Sequence, residues 1–323
     1  MGELVDGVWH KQPVAKGTGA FERKASSFRN WITPDGAPGP SGTGGFAAQS
    51  GRYHLYISYA CPWAHRAMLL RGLRGLAAHI SFDVVHPFMG DLGWHFGTDF
   101  DGATGDSLYG AASLSEIYVR AESKATTRVT VPVLWDKQTE QIVSNESAEI
   151  ILMLDQAFNG LTGNTETIRP KGMGDALNAV NARIYDTLNN GVYRAGFAGN
   201  QDAYSSAVDE VFATLEWLEA RLAKTRYVMG EVLTEADWRL LPTLLRFDPV
   251  YVGHFKCDRA RLMDYPSLWG YTRELYGTEA VQTTTRFDHI RYHYYTSHET
   301  LNPKRIVSTG PAIDWHAPHG RGG

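Results

Sequence analysis

The sequence predicts an α/β domain followed by an all-α domain, and three observations carry that prediction. Over residues 51–160, apolar alternation and helical periods follow one another in the order βαβ, long insertion, ββα. A stretch rich in Gly, Thr, Asn and Pro over residues 159–174 then breaks the pattern. Past it the apolar spacing is helical, over residues 176–188, 201–222, 235–247 and 267–276. A length of 323 residues fits about two domains, at roughly 150 residues each.

Residues 1–50 are rich in Gly, Pro, Ser and Thr and show no sustained period, so they read as an irregular arm. Trp9, Phe21, Phe28 and Trp31 give that arm apolar surface with which to pack on the body, which a free linker would lack. Residues 53–58 read as a strand and 62–76 as a helix, with Ala64, Met68, Leu69 and Leu73 on one face. Residues 81–86 form a second strand. The insertion at 87–127, with a helix expected over 116–121, has the length of a functional loop and is expected to shape a substrate wall. Strands at 131–136 and 140–144 flank a turn at Lys137-Gln138-Thr139, and a helix runs from 146 to about 158. The helical domain spans 174–323. Its last segment, 280–323, is rich in Tyr and His and then in Gly and Pro, which suggests a tail folded back as a lid.

Composition bounds the function. With 43% hydrophobic and 20% charged residues the chain can bury a core unaided. The net charge of −4, without a basic run, argues against nucleic acid as a partner. The apolar stretches fall short of the ~18 residues a membrane span needs. The N-terminus lacks a basic-then-apolar signal pattern, so no membrane association and a cytoplasmic location are expected. Two cysteines, Cys61 and Cys257, are too few for a disulfide framework or a cysteine zinc site.

Cys61 stands between the first strand and the helix that opens at Pro62, a residue suited to the first helical position. Unpaired N–H groups and the positive end of the helix dipole favour a thiolate there, so Cys61 is expected to be nucleophilic near neutral pH. In Cys61-Pro62-Trp63-Ala64 an alanine occupies the place of a dithiol enzyme's second cysteine. Any disulfide of Cys61 must then be with a small thiol or a distant residue; a monothiol cycle through a mixed disulfide is the economical choice, and glutathione is the obvious small thiol. Cys257, between Lys256 and Asp258, has no such context and reads as inert.

Two further elements suit a small peptide. Val131-Pro132 precedes a strand, and a cis bond there would offer the Val131 main chain as an edge for strand-like pairing. Asn145-Glu146-Ser147-Ala148-Glu149 opens a helix. There the backbone donors and the Ser147 hydroxyl could hold a γ-glutamyl carboxylate while Glu146 takes the ammonium; the same residues also suit plain capping. Thr234-Glu235-Ala236-Asp237 has the shape of a capping box and is read as structural.

Taken together, the element order and the Cys-Pro-Trp-Ala, Val-Pro and Glu-Ser elements resemble the glutathione transferase superfamily, and more narrowly its xi class, the glutathionyl-hydroquinone reductases. The resemblance runs from about Gly51 to Gly320. Its class-specific stretches are Asn189-Asn190-Gly191-Val192-Tyr193-Arg194-Ala195-Gly196-Phe197, Arg246-Phe247-Asp248-Pro249-Val250-Tyr251, and His293-Tyr294 ahead of Asn302-Pro303. It implies a thioredoxin-like, glutathione-binding N-terminal domain, an enlarged helical C-terminal domain and a homodimer. It also implies an activity in quinone metabolism: reduction of glutathionyl-hydroquinones by glutathione, a co-substrate, with no metal. Carried over residue by residue, Cys61 is the nucleophile, and Trp94, Arg128, Val131, Glu146 and Ser147 resemble the glutathione-binding set. Tyr193 and Tyr294 look like the pair whose hydroxyls face the quinol oxygens.

Two rival readings use the same sequence. One is a conjugating transferase, against which the cysteine itself argues, since a protein thiolate favours thiol exchange. The other is a metal-binding protein built on His289 and His293 at i, i+4, with Asp288 and His298 nearby.

Overall fold

A computed structural model describes residues 2–11 and 25–322 of the chain. Phe21, one of the arm aromatics named above, lies outside the described residues. The chain opens with a hairpin, β1 (Gly2–Val5) and β2 (Val8–Lys11), where the sequence reading expected no regular structure. Four-residue strands are too short for alternation to register, but the Asp6-Gly7 pair that joins them is a strong hairpin signal. Both turn residues have positive φ, 47° and 78°. At Gly7 a Cβ would lie 2.2 Å from the Ser123 carbonyl oxygen, so the turn needs glycine there.

The elements of the first half follow as β3 (Tyr53–Ile57), α1 (Pro62–Leu73), β4 (Ser81–Val84), α2 (Leu114–Ala121), β5 (Thr127–Arg128), β6 (Val133–Asp136), β7 (Gln141–Ser144), α3 (Ser147–Gln156) and α4 (Asn159–Thr162). Four of the strands form one sheet in the order β4-β3-β6-β7. β3 runs parallel to β4 across the α1 crossover, and β6 and β7 continue antiparallel. This mixed sheet with its helices is the thioredoxin-like arrangement. Every residue of β3 is buried, as its inner place in the sheet requires. α1 and α3 pack on each other, tied by the buried ion pair of Arg74 and Asp155 at 2.7 Å.

β1 pairs on its other side with β5, so the hairpin and β5 make a second, three-stranded sheet. Residues 28–30 lie along β7: the Asn30 N–H donates to the Val143 carbonyl (2.8 Å), and further along the arm Ile32 and Phe46 are buried. The insertion is held to the sheet by carboxylates. Asp83 accepts from the Ser107 N–H and hydroxyl (2.6 and 2.8 Å), and Asp106 accepts from the Tyr56 hydroxyl and three N–H groups of its own loop.

Seven helices make up the second half: α5 (Gly174–Ile184), α6 (Gly191–Gly196), α7 (Gln201–Leu222), α8 (Glu235–Arg246), α9 (Pro266–Tyr276), α10 (Glu279–Thr284) and α11 (Phe287–Ser297). α7 buries Val208, Val211, Phe212, Leu215, Leu218 and Leu222, an i, i+3/i+4 stripe. The box at the start of α8 is formed, and Asp237 reaches further, accepting from the Val228 N–H and the Tyr271 hydroxyl at 2.9 Å each. The end of the chain packs on this half, with Trp315 stacked on Phe287 and Arg321 donating to Glu274.

Two features of the second half have no counterpart in the 3.6-residue period. Wide π-helical turns span Tyr185–Asn189 and Phe247–Tyr251. The second contains Pro249, which has no N–H for the α ladder, and the chain closes instead by an i→i−5 bond from Val252 to Phe247 (2.9 Å). By contacts, residues 288–297 of α11 belong with the first half, although the sequence reading gave all of 174–323 to the helical domain. Periodicity marks a helix without saying which core it faces.

Candidate active site

Cys61 is the residue that caps the N-terminus of α1, with extended backbone (φ −80°, ψ 122°) and Pro62 at the first helical position. Its own N–H donates to the Ser58 carbonyl (3.1 Å), and its carbonyl accepts the first helical bond, from His65 (3.0 Å). The side chain is 9% exposed, and no acidic residue stands in the first turn of α1. The remaining main-chain donors of that turn point along the axis toward the helix start. The thiol donates to the Val131 carbonyl at 3.5 Å, and the Val131–Pro132 bond is cis. The sulfur and the main chain just before β6 are thereby brought together.

Ser147 is buried at the first position of α3 and accepts from Arg66 of α1 at 3.4 Å. The Arg66 guanidinium lies 4.5 Å above the ring of Trp63, two residues after the cysteine. Arg66 therefore connects the cysteine helix to the start of α3, a link that no local motif announces. Glu146 caps α3: one oxygen accepts from the Ala148 N–H (3.0 Å) and the other from the Ser26 hydroxyl (2.9 Å). Capping thus falls to Glu146 itself, while Ser144 turns back to accept from the Glu146 N–H at 3.1 Å.

Trp94 is buried in the insertion, its ring stacked on His293 with centroids 4.8 Å apart, and His293 in turn contacts Tyr294 edge to face at 5.3 Å. Arg128 is half-buried on β5, opposite Glu3 of β1. Cys61, Trp94, Arg128, Val131, Glu146, Ser147 and Tyr294 all lie in the first unit of the chain. Tyr193 belongs to the second unit, in α6, where its ring meets Phe255 (5.4 Å), Tyr251 (6.1 Å) and Phe197 (6.3 Å).

The histidines of the rival metal reading have other partners. His289 and His293 bond the carbonyls of Asp101 (2.6 Å) and Pro87 (2.8 Å), and His298 pairs with His254 at 3.0 Å in the second unit. Among the described residues no group of three or more His, Cys, Asp or Glu is placed to hold a metal ion. Cys257 is fully buried, and burial pushes its thiol up to about 12, far from the reactive range.

A thioredoxin-like sheet with a cysteine at the first helix start, followed by a helical domain, defines a class of thiol-dependent glutathione enzymes. Family models of the glutathione S-transferase N-terminal domain and C-terminal domain match residues 60–157 and 201–274. The glutathionyl-hydroquinone reductase YqjG of Escherichia coli is 53% identical over 99% of this chain and 98% of its own. The glutathionyl-hydroquinone reductase PcpF of Sphingobium chlorophenolicum is 43% identical, with 97% of each chain covered. The glutathione-bound structure of YqjG superposes with a TM-score of 0.93 at 51% identity over 99% of both chains. A xi-class transferase from Natrialba magadii does so with 0.90 at 44% identity, covering 99% of this chain and 96% of that one. The chain belongs to the glutathione S-transferase family, among the xi-class glutathionyl-hydroquinone reductases.

Proposed function

We propose that this enzyme reduces glutathionyl-hydroquinones to hydroquinones through a mixed disulfide between Cys61 and glutathione, and releases glutathione disulfide. The observation that carries the reading is the placement of Cys61 Sγ at the start of α1, 3.5 Å from the Val131 carbonyl, with no second thiol in the motif. The Cys61 thiolate attacks the glutathionyl sulfur, an S–S bond forms, and the carbon–sulfur bond to the ring breaks. The ring carbon leaves with the electron pair and takes a proton, giving the hydroquinone. The thiolate of a second glutathione then attacks the sulfur of the bound glutathione, and Cys61 leaves as thiolate.

In this reading Val131 pairs with the main chain of the glutathionyl group, Ser147 and the start of α3 receive its γ-glutamyl carboxylate, and Glu146 takes the ammonium. Arg128 and Trp94 complete the pocket. Tyr193 and Tyr294 donate from their hydroxyls to the quinol oxygens and stabilise the charge that develops on the leaving ring. The resemblance implies a homodimer, and we extend that state to this chain, together with a cytoplasmic location. No helix among the described residues is long and apolar enough to cross a membrane.

Turnover of a panel of glutathionyl-hydroquinones, glutathionyl-menadiol among them, tests the proposal against conjugation of chlorodinitrobenzene. Reduction that disappears in Cys61→Ala supports it. Strong conjugation without reduction overturns it.

A further inference from the structure

We propose that His293 is the positioning residue of the glutathione pocket, acting by setting the plane of the Trp94 indole from behind. The inference rests on the reading of Trp94 as a glutathione-binding residue and assigns the part of the structure on which that residue depends. Trp94 sits in an insertion that has no regular strand or helix between β4 and α2, so its side chain needs support from outside the loop. Its main chain is pinned by the Leu114 N–H, which donates to the Trp94 carbonyl at 2.9 Å. Among the described aromatic side chains the ring is held by His293 alone: the two rings stack at 4.8 Å with 22° between their planes. The indole N–H makes no hydrogen bond among the described residues, which leaves it a donor to offer a ligand.

His293 is itself fixed in rotation. Its Nδ1 lies 2.8 Å from the Pro87 carbonyl oxygen, and a carbonyl only accepts, so Nδ1 carries the proton. Ser297, one turn further along α11, has its hydroxyl 3.3 Å from the same nitrogen and accepts from the Met89 N–H at 2.9 Å. Two residues at i, i+4 on one helix face thus grip the loop at Pro87 and Met89, and one of them also carries Trp94. The consequence is that the pocket wall is set by α11, about 200 residues away in sequence from the loop it orients.

The test is a double-mutant cycle read by the dissociation constant for glutathione, measured calorimetrically on the full chain for wild type, His293→Ala, Trp94→Phe and the double variant. His293→Ala is expected to weaken glutathione roughly 3- to 10-fold, the scale of one lost ring pair. Added to Trp94→Phe, it is expected to cost little more, because it acts through Trp94. His293→Phe, which retains a ring to stack, recovers most of the affinity. His293→Asn, with a donor but no ring, stands in for the alanine variant should that one fail to fold. Equal losses in His293→Phe and His293→Ala, or strict additivity with Trp94→Phe, overturn the proposal. An unchanged affinity in Trp94→Phe overturns it as well. Failure of the wild type to turn over glutathionyl-menadiol, with the cycle intact, would instead overturn the proposed reaction and leave the positioning role standing.

Discussion

Two cysteines with opposite surroundings show how placement decides chemistry at the scale of a residue. Cys61 meets the start of α1 and keeps an accessible edge, whereas Cys257 is sealed in the helical half with its thiol held up near 12. Iodoacetamide at neutral pH is therefore expected to modify Cys61 in the native protein and to reach Cys257 only after unfolding; peptide mass mapping reads the two sites separately. Replacing Tyr193 or Tyr294 with Phe is expected to lower kcat by up to about 100-fold with KM little changed, since the lost donor acts on charge that develops late. A rise in KM alone would assign both rings to packing. The place of Cys61 at the start of α1 was legible because strand, cysteine, proline and helix lie within about twenty consecutive residues. The contacts of Arg66 with Ser147 and of His293 with Trp94 were not, because those partners come close only in three dimensions.

Elements differ in how much of themselves they declare. The strands of the main sheet were found, but slightly long: alternation marks which residues face the core and does not mark where pairing stops. The opening hairpin was missed although Asp6-Gly7 signalled it, and the π turns lie beyond any reading that assumes one helical period. Some positions carry element-scale predictions. At Gly196, near the end of α6, a Cβ would fall 2.2 Å from the Phe255 ring. Gly196→Ala is thus expected to cost about 1–3 kcal/mol by overpacking and to disturb the Tyr193–Phe255 contact, as thermal unfolding and kcat would show.

The buried pair Arg52–Asp136, closed by bonds of 2.9 and 2.6 Å, joins the start of β3 to the end of the antiparallel β6. Burial alone would push the Asp136 carboxyl up, but donors from Arg52, Thr139 and the Gln138 N–H hold it below the usual range. Its contribution is therefore present above the ordinary carboxylate pKa and lost as pH falls through the lowered one. Asp136→Asn should cost about 3–5 kcal/mol at neutral pH in denaturant unfolding. His254 acts in a different window. Burial, with Lys256 nearby, lowers its imidazole to about 4, so folding keeps it neutral where the unfolded chain would protonate it. Stability is expected to fall as pH drops from the ordinary histidine value, about 6.5, toward 4, and His254→Gln should flatten that limb of the pH–Tm curve.

On the scale of the whole molecule, the α/β plus all-α order was legible because strand and helix periods alternate over residues 51–160 and only helical spacing follows past residue 174. The assignment of residues 288–297 to the first half was not, since it depends on the loop that α11 grips. The proposed chemistry draws on residues from both halves of the sequence, with the thiol in the first and Tyr193 in the second. Sedimentation equilibrium is expected to return the mass of two chains, and a single-chain mass at micromolar concentration would contradict the homodimer. The proposed chemistry turns on one sulfur and one intermediate. Intact-protein mass spectrometry during turnover of glutathionyl-menadiol at limiting glutathione tests it most directly. The expected result is a transient adduct of one glutathionyl group, mapped to Cys61 and discharged by added glutathione, in the wild type and not in Cys61→Ala. Full turnover by Cys61→Ala, or an adduct carrying the quinol ring on the protein, would contradict it.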